Sequence, residues 1–303
     1  MTKLNEKAVL VKVSGSTWRG ITSDKTATTG AADHFGTTEK WLHVSKRLVE
    51  KEVLAAPKKI LGAARNYLRG ATVGAHDNKR IPGGLPAWDD TGWYILPNAL
   101  NDQVLRNLGA FESKFDEAVD DLRKTLPGAV DRARQENPQL FNDKDYAGNA
   151  DDIIEEHYSF SRSLDMIPDG DDIRVSASAE FVAALKDEVE GRAAQRLSDV
   201  ATHTREALLS TLKHFASSLA SYDPDDKRGT AFRDSTVERL REVIPVVRAL
   251  NVEGDGVIDQ AVSDIISVLG TRTAEGLRED HEDRKHVADE ANKLAKNLST
   301  LFN

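Results

Sequence analysis

The chain has 303 residues and no cysteine, which excludes disulfides, thiolate nucleophiles and cysteine-ligated zinc or iron–sulfur centres. Hydrophobic residues make up 39%, aromatic residues 6% and charged residues 30%, a balance that suits long helices with wide solvated faces. The net charge of −9 conceals a split: residues 1–100 carry 15 Lys+Arg against 9 Asp+Glu, the other 203 carry 26 against 41, and all four tryptophans lie in the basic part.

From the N-terminus, Val9, Val11 and Val13 alternate with Leu10 and Lys12. Together with the run from Thr17 to Ile21 beyond Ser14-Gly15-Ser16, they predict a hairpin over residues 8–21. Ser23 or Asp24 is placed to cap a short helix that ends at Gly36. Residues 45–69 follow a helical pattern, which Pro57 either kinks or restarts. The glycines and prolines of residues 70–91 predict a loop, and residues 92–96 a strand that Pro97 ends.

Apolar residues at steps of three or four from Val104 to Ala133 predict one long helix over 101–136, which Pro127-Gly128 should bend or break. A short acidic helix from about Asp151 to His157 follows. Next comes a strand with Tyr158, Phe160, Arg162 and Leu164 on one face, and a second hairpin strand over 173–176. The stripe from Phe181 to Tyr222 repeats about every 3.7 residues, so residues 177–222 should form a nearly straight helix with the 101–136 helix as its antiparallel neighbour. Ser235-Thr236-Val237-Glu238 reads as a capping box opening a segment kinked by Pro245, and helices over 256–269 and 283–301 close the chain.

The fold class expected is mainly α (α+β): long antiparallel helices in an elongated bundle, with a small mixed or antiparallel sheet at one end. Residues 1–100 form a basic, tryptophan-containing α+β part and residues 101–303 an acidic helical bundle with a hairpin near 158–176, interlocked in one structural unit. No run reaches the roughly 18 apolar residues that span a bilayer, and the opening residues lack the apolar stretch of a signal peptide. A soluble cytoplasmic protein without membrane contact is expected.

No motif assigns a catalytic residue, a cofactor or a metal ligand. The P-loop pattern is absent, and Gly15 to Gly20 lacks the Gly-x-Ser-x-Gly of a nucleophile elbow. On a regular helix His281 and His286 point about 140° apart and cannot share an ion. Asp165, Asp169 and Gly170 resemble the start of a calcium loop, but Ile167 replaces an oxygen ligand and Ser176 the closing Glu. The acids of residues 151–156 beside His157 are what a helix N-terminus attracts.

One constellation is basic. If residues 45–69 were a single helix, Arg47, Lys51, Lys58, Arg65 and Arg69 would line up as a positive stripe, with Trp41 and Tyr67 near enough to stack bases. A second candidate surface is the helix–helix stripe of Leu208, Leu212, Phe215, Leu219 and Tyr222. The rival reading of that stripe is burial by the helices of residues 235–301.

The segment from Ala231 to Glu242 (AFRDSTVERLRE), followed by Leu250-Asn251-Val252-Glu253-Gly254-Asp255, resembles a family of phage and prophage proteins of unknown function. Leu4 to Val11, Leu96-Pro97 and Phe141 to Tyr146 share the likeness, which covers most of the chain. It implies a phage or mobile-element origin, the cytoplasm of a host cell, and a long-helix architecture. Some members are encoded near ring-forming ATPases, which implies such an ATPase as a protein partner, and the family supplies no functional residues. The function expected is that of a non-enzymatic interaction or assembly protein acting through amphipathic helices, with a protein partner or a second copy. The alternatives are a nucleic-acid-binding accessory of replication or recombination using residues 46–69, and a metal-dependent enzyme.

Overall fold

The computed structural model describes residues 4–70, 81, 83–146, 148–169, 178–223, 232 and 234–302. In chain order the elements are α1 (Leu4–Lys7), β1 (Ala8–Ser16), β2 (Ile21–Ser23), α2 (Lys25–His34), β3 (Ser45–Arg47), α3 (Ala55–Leu68), β4 (Trp93–Pro97), α4 (Asn101–Glu136), α5 (Ala150–His157), β5 (Ser159–Asp165), α6 (Ala179–Ala220), α7 (Asp234–Leu250), α8 (Gly256–Leu269), α9 (Ala274–Glu279) and α10 (His281–Leu301). The fold is mainly helical with two small sheets, the class expected from the periodicities. Among the described residues no helix is long and apolar enough to cross a membrane.

The chain divides into two compact units, one of Met1–Lys12, Asn66–Val104 and Leu164–Asn303, the other of Val13–Arg65 and Leu105–Ser163. The division does not follow the change in charge near residue 100, because each unit draws on both sides of it.

In the first unit β1 pairs antiparallel with β4, Val9 opposite Leu96 and Val11 opposite Tyr94. Most of its core comes from α6, α7, α8 and α10, where Leu208, Leu212, Phe215, Val243, Val247, Val262, Val287 and Ala291 interlock. The cover of α6 comes from α7 and α10. The 101–136 helix, expected as its neighbour, belongs from Leu105 onward to the other unit. Ser178 caps α6 by accepting from the Phe181 amide, and Asp255 caps α8. Asp234 already lies in α7, so Ser235-Thr236-Val237-Glu238 sits inside the helix instead of opening it, and Pro245 is carried within the same helix.

In the second unit the hairpin expected over residues 8–21 does not form. β1 runs to Ser16, with β5 as its neighbour in the three-stranded order β4-β1-β5, and β2 pairs with β3 instead. Gly15 explains the difference: a side chain there would run into the Ser159 carbonyl, so this glycine marks a close approach of two strands and not a turn. Gly20 sits at φ 59°, and a Cβ there would lie 2.6 Å from Leu54 Cδ1.

The continuous helix expected over 45–69 is likewise replaced, by β3, a turn, and α3 beginning at Ala55 with Pro57 in its first turn, where a missing amide costs little. α4 passes Pro127 without a break. Its residues Leu122, Leu126 and Ala129 are locked against Val49, Leu54 and Ile153, which holds the helix together across the proline. Asn149 and Asp152 close a capping box on α5. Phe160 and Arg162 of β5 face α4, with rings of Phe160 and Phe115 5.5 Å apart and Arg162 Nε 3.0 Å from Glu112. The expected strand over 173–176 and much of the expected 70–91 loop fall outside the described residues.

Candidate functional site

A cavity of about 360 Å³ opens in the second unit beside Lys46, Arg47, Asn137, Phe141 and Tyr146. Two of its charged groups, Lys46 and Asp24, are spent internally. Lys46 Nζ lies 2.8 Å from the Asp145 carboxylate and 3.7 Å from that of Asp24, and donates to the Leu140 carbonyl at 2.7 Å. The hydrogen bond to Asp145 holds the Lys46 ammonium above the usual lysine range. Tyr146 donates its hydroxyl to the Leu48 carbonyl at 2.6 Å, and burial raises its pKa. These contacts fasten the 137–146 connection to β3, and of the charged groups lining the cavity Arg47 is the exposed one.

The five basic residues of the expected stripe do not align. Arg47 is in β3 and Lys51 in the turn before α3, so neither shares a helix with Lys58 and Arg65. Arg65 turns inward, its Nη2 donating to the Gly15 carbonyl at 3.1 Å. Arg69, one residue beyond α3, donates to the Tyr94 hydroxyl at 2.9 Å. Tyr67, expected to stack bases, is fully buried.

The β2–β3 ribbon presents a different basic surface. Its register sets Ile21 opposite Arg47, Thr22 opposite Lys46 and Ser23 opposite Ser45. Since successive side chains alternate, Thr22 and Lys46 point to the half-buried side, and Ile21, Ser23, Ser45 and Arg47 are exposed. His43 joins that outer face through its Nε2, 3.4 Å from Ser23 Oγ. Leu48 donates its amide to the Gly20 carbonyl at 2.8 Å, which continues the ladder and leaves Arg19 exposed at the arginine end. Two residues before His43 stands Trp41, with 82% of its surface open. The other tryptophans have partners: Trp18 stacks on His157, Trp88 faces Arg196 and Trp93 faces Lys12.

The helix–helix stripe lies within one chain. Leu208, Leu212, Phe215 and Leu219 are buried, and Tyr222 is packed against the same core with the Arg284 guanidinium 5.0 Å from its ring centre. This corrects the expectation that the stripe waits for a second chain, since α7 and α10 already cover it. The remainder of α6 differs. Residues 83–88 reach its middle, His203 Nε2 lying 3.1 Å from the Gly84 carbonyl and Arg196 6.0 Å from the Trp88 ring. All the buried residues of α6 lie between Val200 and Leu219. Over residues 179–199 the apolar series Val182, Leu185, Val189, Ala193 and Leu197 is half-buried, and Phe181 is 55% exposed.

Among the described residues no three His, Asp or Glu side chains converge as metal ligands. In α5, Asp152 is used in the capping box and Asp151 pairs with Arg123 at 2.8 Å. No protein-family model, no curated protein and no solved structure matches this chain.

Proposed function

We propose that the chain is an interaction and assembly protein whose first partner is a second copy of itself, seated on residues 179–199 of α6. The observation that supports this is the unequal burial of one helix. Its apolar period continues through both halves, yet only the half from Val200 onward is built into a core. Apolar stripes on helices are covered, and when one chain leaves such a face incomplete the commonest solution is a two-fold pair. Antiparallel pairing about Val189 would set Phe181 opposite Leu197 and Leu185 opposite Ala193. The likeness to phage proteins is the ground for placing this assembly in a phage or prophage context.

Light scattering over a low to high micromolar range tests the reading. The wild type should approach the dimer mass as concentration rises, and Leu185→Asp, at a half-buried position, should stay monomeric with an unchanged circular dichroism spectrum. A wild type that remains a monomer throughout would overturn it.

A further inference from the structure

We infer that the outer face of the β2–β3 ribbon, with Trp41 beyond its end, is a binding surface for single-stranded nucleic acid. The surface is separate from α6 and owes nothing to the self-association proposed above. Three observations carry it.

The first is charge. Arg19 and Arg47 are exposed at one end of the ribbon, and Lys40 and Lys51 are exposed in the adjoining segments. Of the five acids of residues 13–65, three are engaged, and Asp33 and Glu52 are exposed. Asp24 caps α2 and faces Lys46, Glu39 accepts from Thr29 Oγ1 at 2.5 Å, and Glu50 lies 3.8 Å from Arg132. Residues 13–65 hold 9 Lys+Arg against 5 Asp+Glu in a chain whose net charge is −9, so this stretch of the sequence is positive against the trend. A line of guanidinium and ammonium groups recognises a polyanion by displacing its counterions.

The second is the ring of Trp41, the most exposed of the large apolar side chains among the described residues. An indole left in water within a basic segment is a platform on which an unpaired base can stack, and stacking tolerates any base. A duplex offers no such free face. The third is what lies between. His43, Ser23 and Ser45 supply hydrogen-bonding groups, and Ile21 is the sole aliphatic side chain of the outer face. A protein partner needs an apolar centre that this face lacks.

Fluorescence anisotropy of labelled oligonucleotides of about 20 nucleotides tests the proposal, using the full chain with deoxythymidine and uridine strands and a duplex of equal length. At about 50 mM salt the single strands should bind, and affinity should fall as salt rises, with a log–log slope of about 0.7 for each phosphate contacted. Preference for one strand identifies DNA or RNA as the source. Trp41→Ala should weaken binding about tenfold or more, whereas Trp41→Phe keeps most of it. Arg19→Glu with Arg47→Glu should lower both affinity and slope, and Lys58→Glu with Lys59→Glu on α3 should leave both unchanged. All these side chains are exposed, so circular dichroism should match the wild type in every variant. Absence of binding at low salt, a Trp41→Ala protein that binds like the wild type, or loss confined to the α3 variant would each overturn the inference. So would equal binding of the duplex by the wild type.

Discussion

Replacing the same residue type at two points on α6 separates its core half from its open half. Phe215 is 1% exposed among Leu208, Leu212, Val243 and Ile265, and Phe181 on the same helix is 55% exposed. Truncating a fully buried Phe costs about 3 to 5 kcal/mol through lost transfer energy and the cavity left behind. A Phe already half in water loses much less, about 1 kcal/mol or below. Urea denaturation in dilute protein reads the difference: with slopes of about 3 kcal/mol per molar, Phe215→Ala should move the midpoint by about 1 M or more and Phe181→Ala by a few tenths. Where the two units unfold in separate steps, Phe215→Ala should shift only one, and hydrogen exchange should assign it to amides of α6, α7, α8 and α10. Equal losses from the two variants in dilute solution would refute the account of α6 as a helix with one buried and one open half.

Arg284 is 5% exposed and donates from Nη1 to the Leu277 and Arg278 carbonyls at 3.0 Å each, satisfying the C-terminal end of α9. Arg284→Ala should therefore cost about 3 kcal/mol in a urea titration, and a loss under about 1 kcal/mol would show that the carbonyls find other donors. Asp283 accepts a forked pair of bonds from Arg272, which holds its carboxyl below the usual range. A carboxylate depressed in the folded state contributes stability above its unfolded pKa of about 4, and that contribution is lost as pH falls through the folded value. The acid limb of the unfolding free energy should thus be shallower in Asp283→Asn than in the wild type, and identical limbs would remove Asp283 from the account.

How much of this was legible in the sequence depends on the range of the forces involved. The helices over 101–136, 256–269 and much of 177–222 were readable because a period near 3.6 is a local property, and the cap at Asp24, one of two candidates with Ser23, acts within one turn. The partner of each strand was not. Alternation marks Val9 to Val13 as strand, but nothing within eight residues says that β4, some 80 residues on, will pair with it. Gly15 misleads for the same reason, since a turn and a close approach to Ser159 both require glycine. The cover of α6 was legible only as alternatives, the 101–136 helix, a second chain or the helices of residues 235–301, because every amphipathic helix offers a face that could serve, and the structure selects the last.

The candidate surface for nucleic acid follows from that limit. Read at helical period, Arg47, Lys51, Lys58, Arg65 and Arg69 make a stripe. Read at strand period, Arg47 belongs with Ser45 and His43, and Arg19 with Ile21 and Ser23. Both readings were present in the residues, and only pairing of β2 with β3 selects the second. Once it is selected, the fates of the other bases follow from covalent distance: Arg65 lies where strand carbonyls need a donor, and Arg69 where it meets the Tyr94 hydroxyl. Exposure then separates Trp41 from Tyr67, two aromatics that looked equivalent beside the same charges. One is held inside by the fold of α3, and the other stands clear of it with nothing of its own chain to stack on among the described residues. Of the exposed aromatic side chains among the described residues, Trp41 at 82% stands above Phe35 at 71% and Phe181 at 55%, and it alone of the three lies two residues from the ribbon's His43.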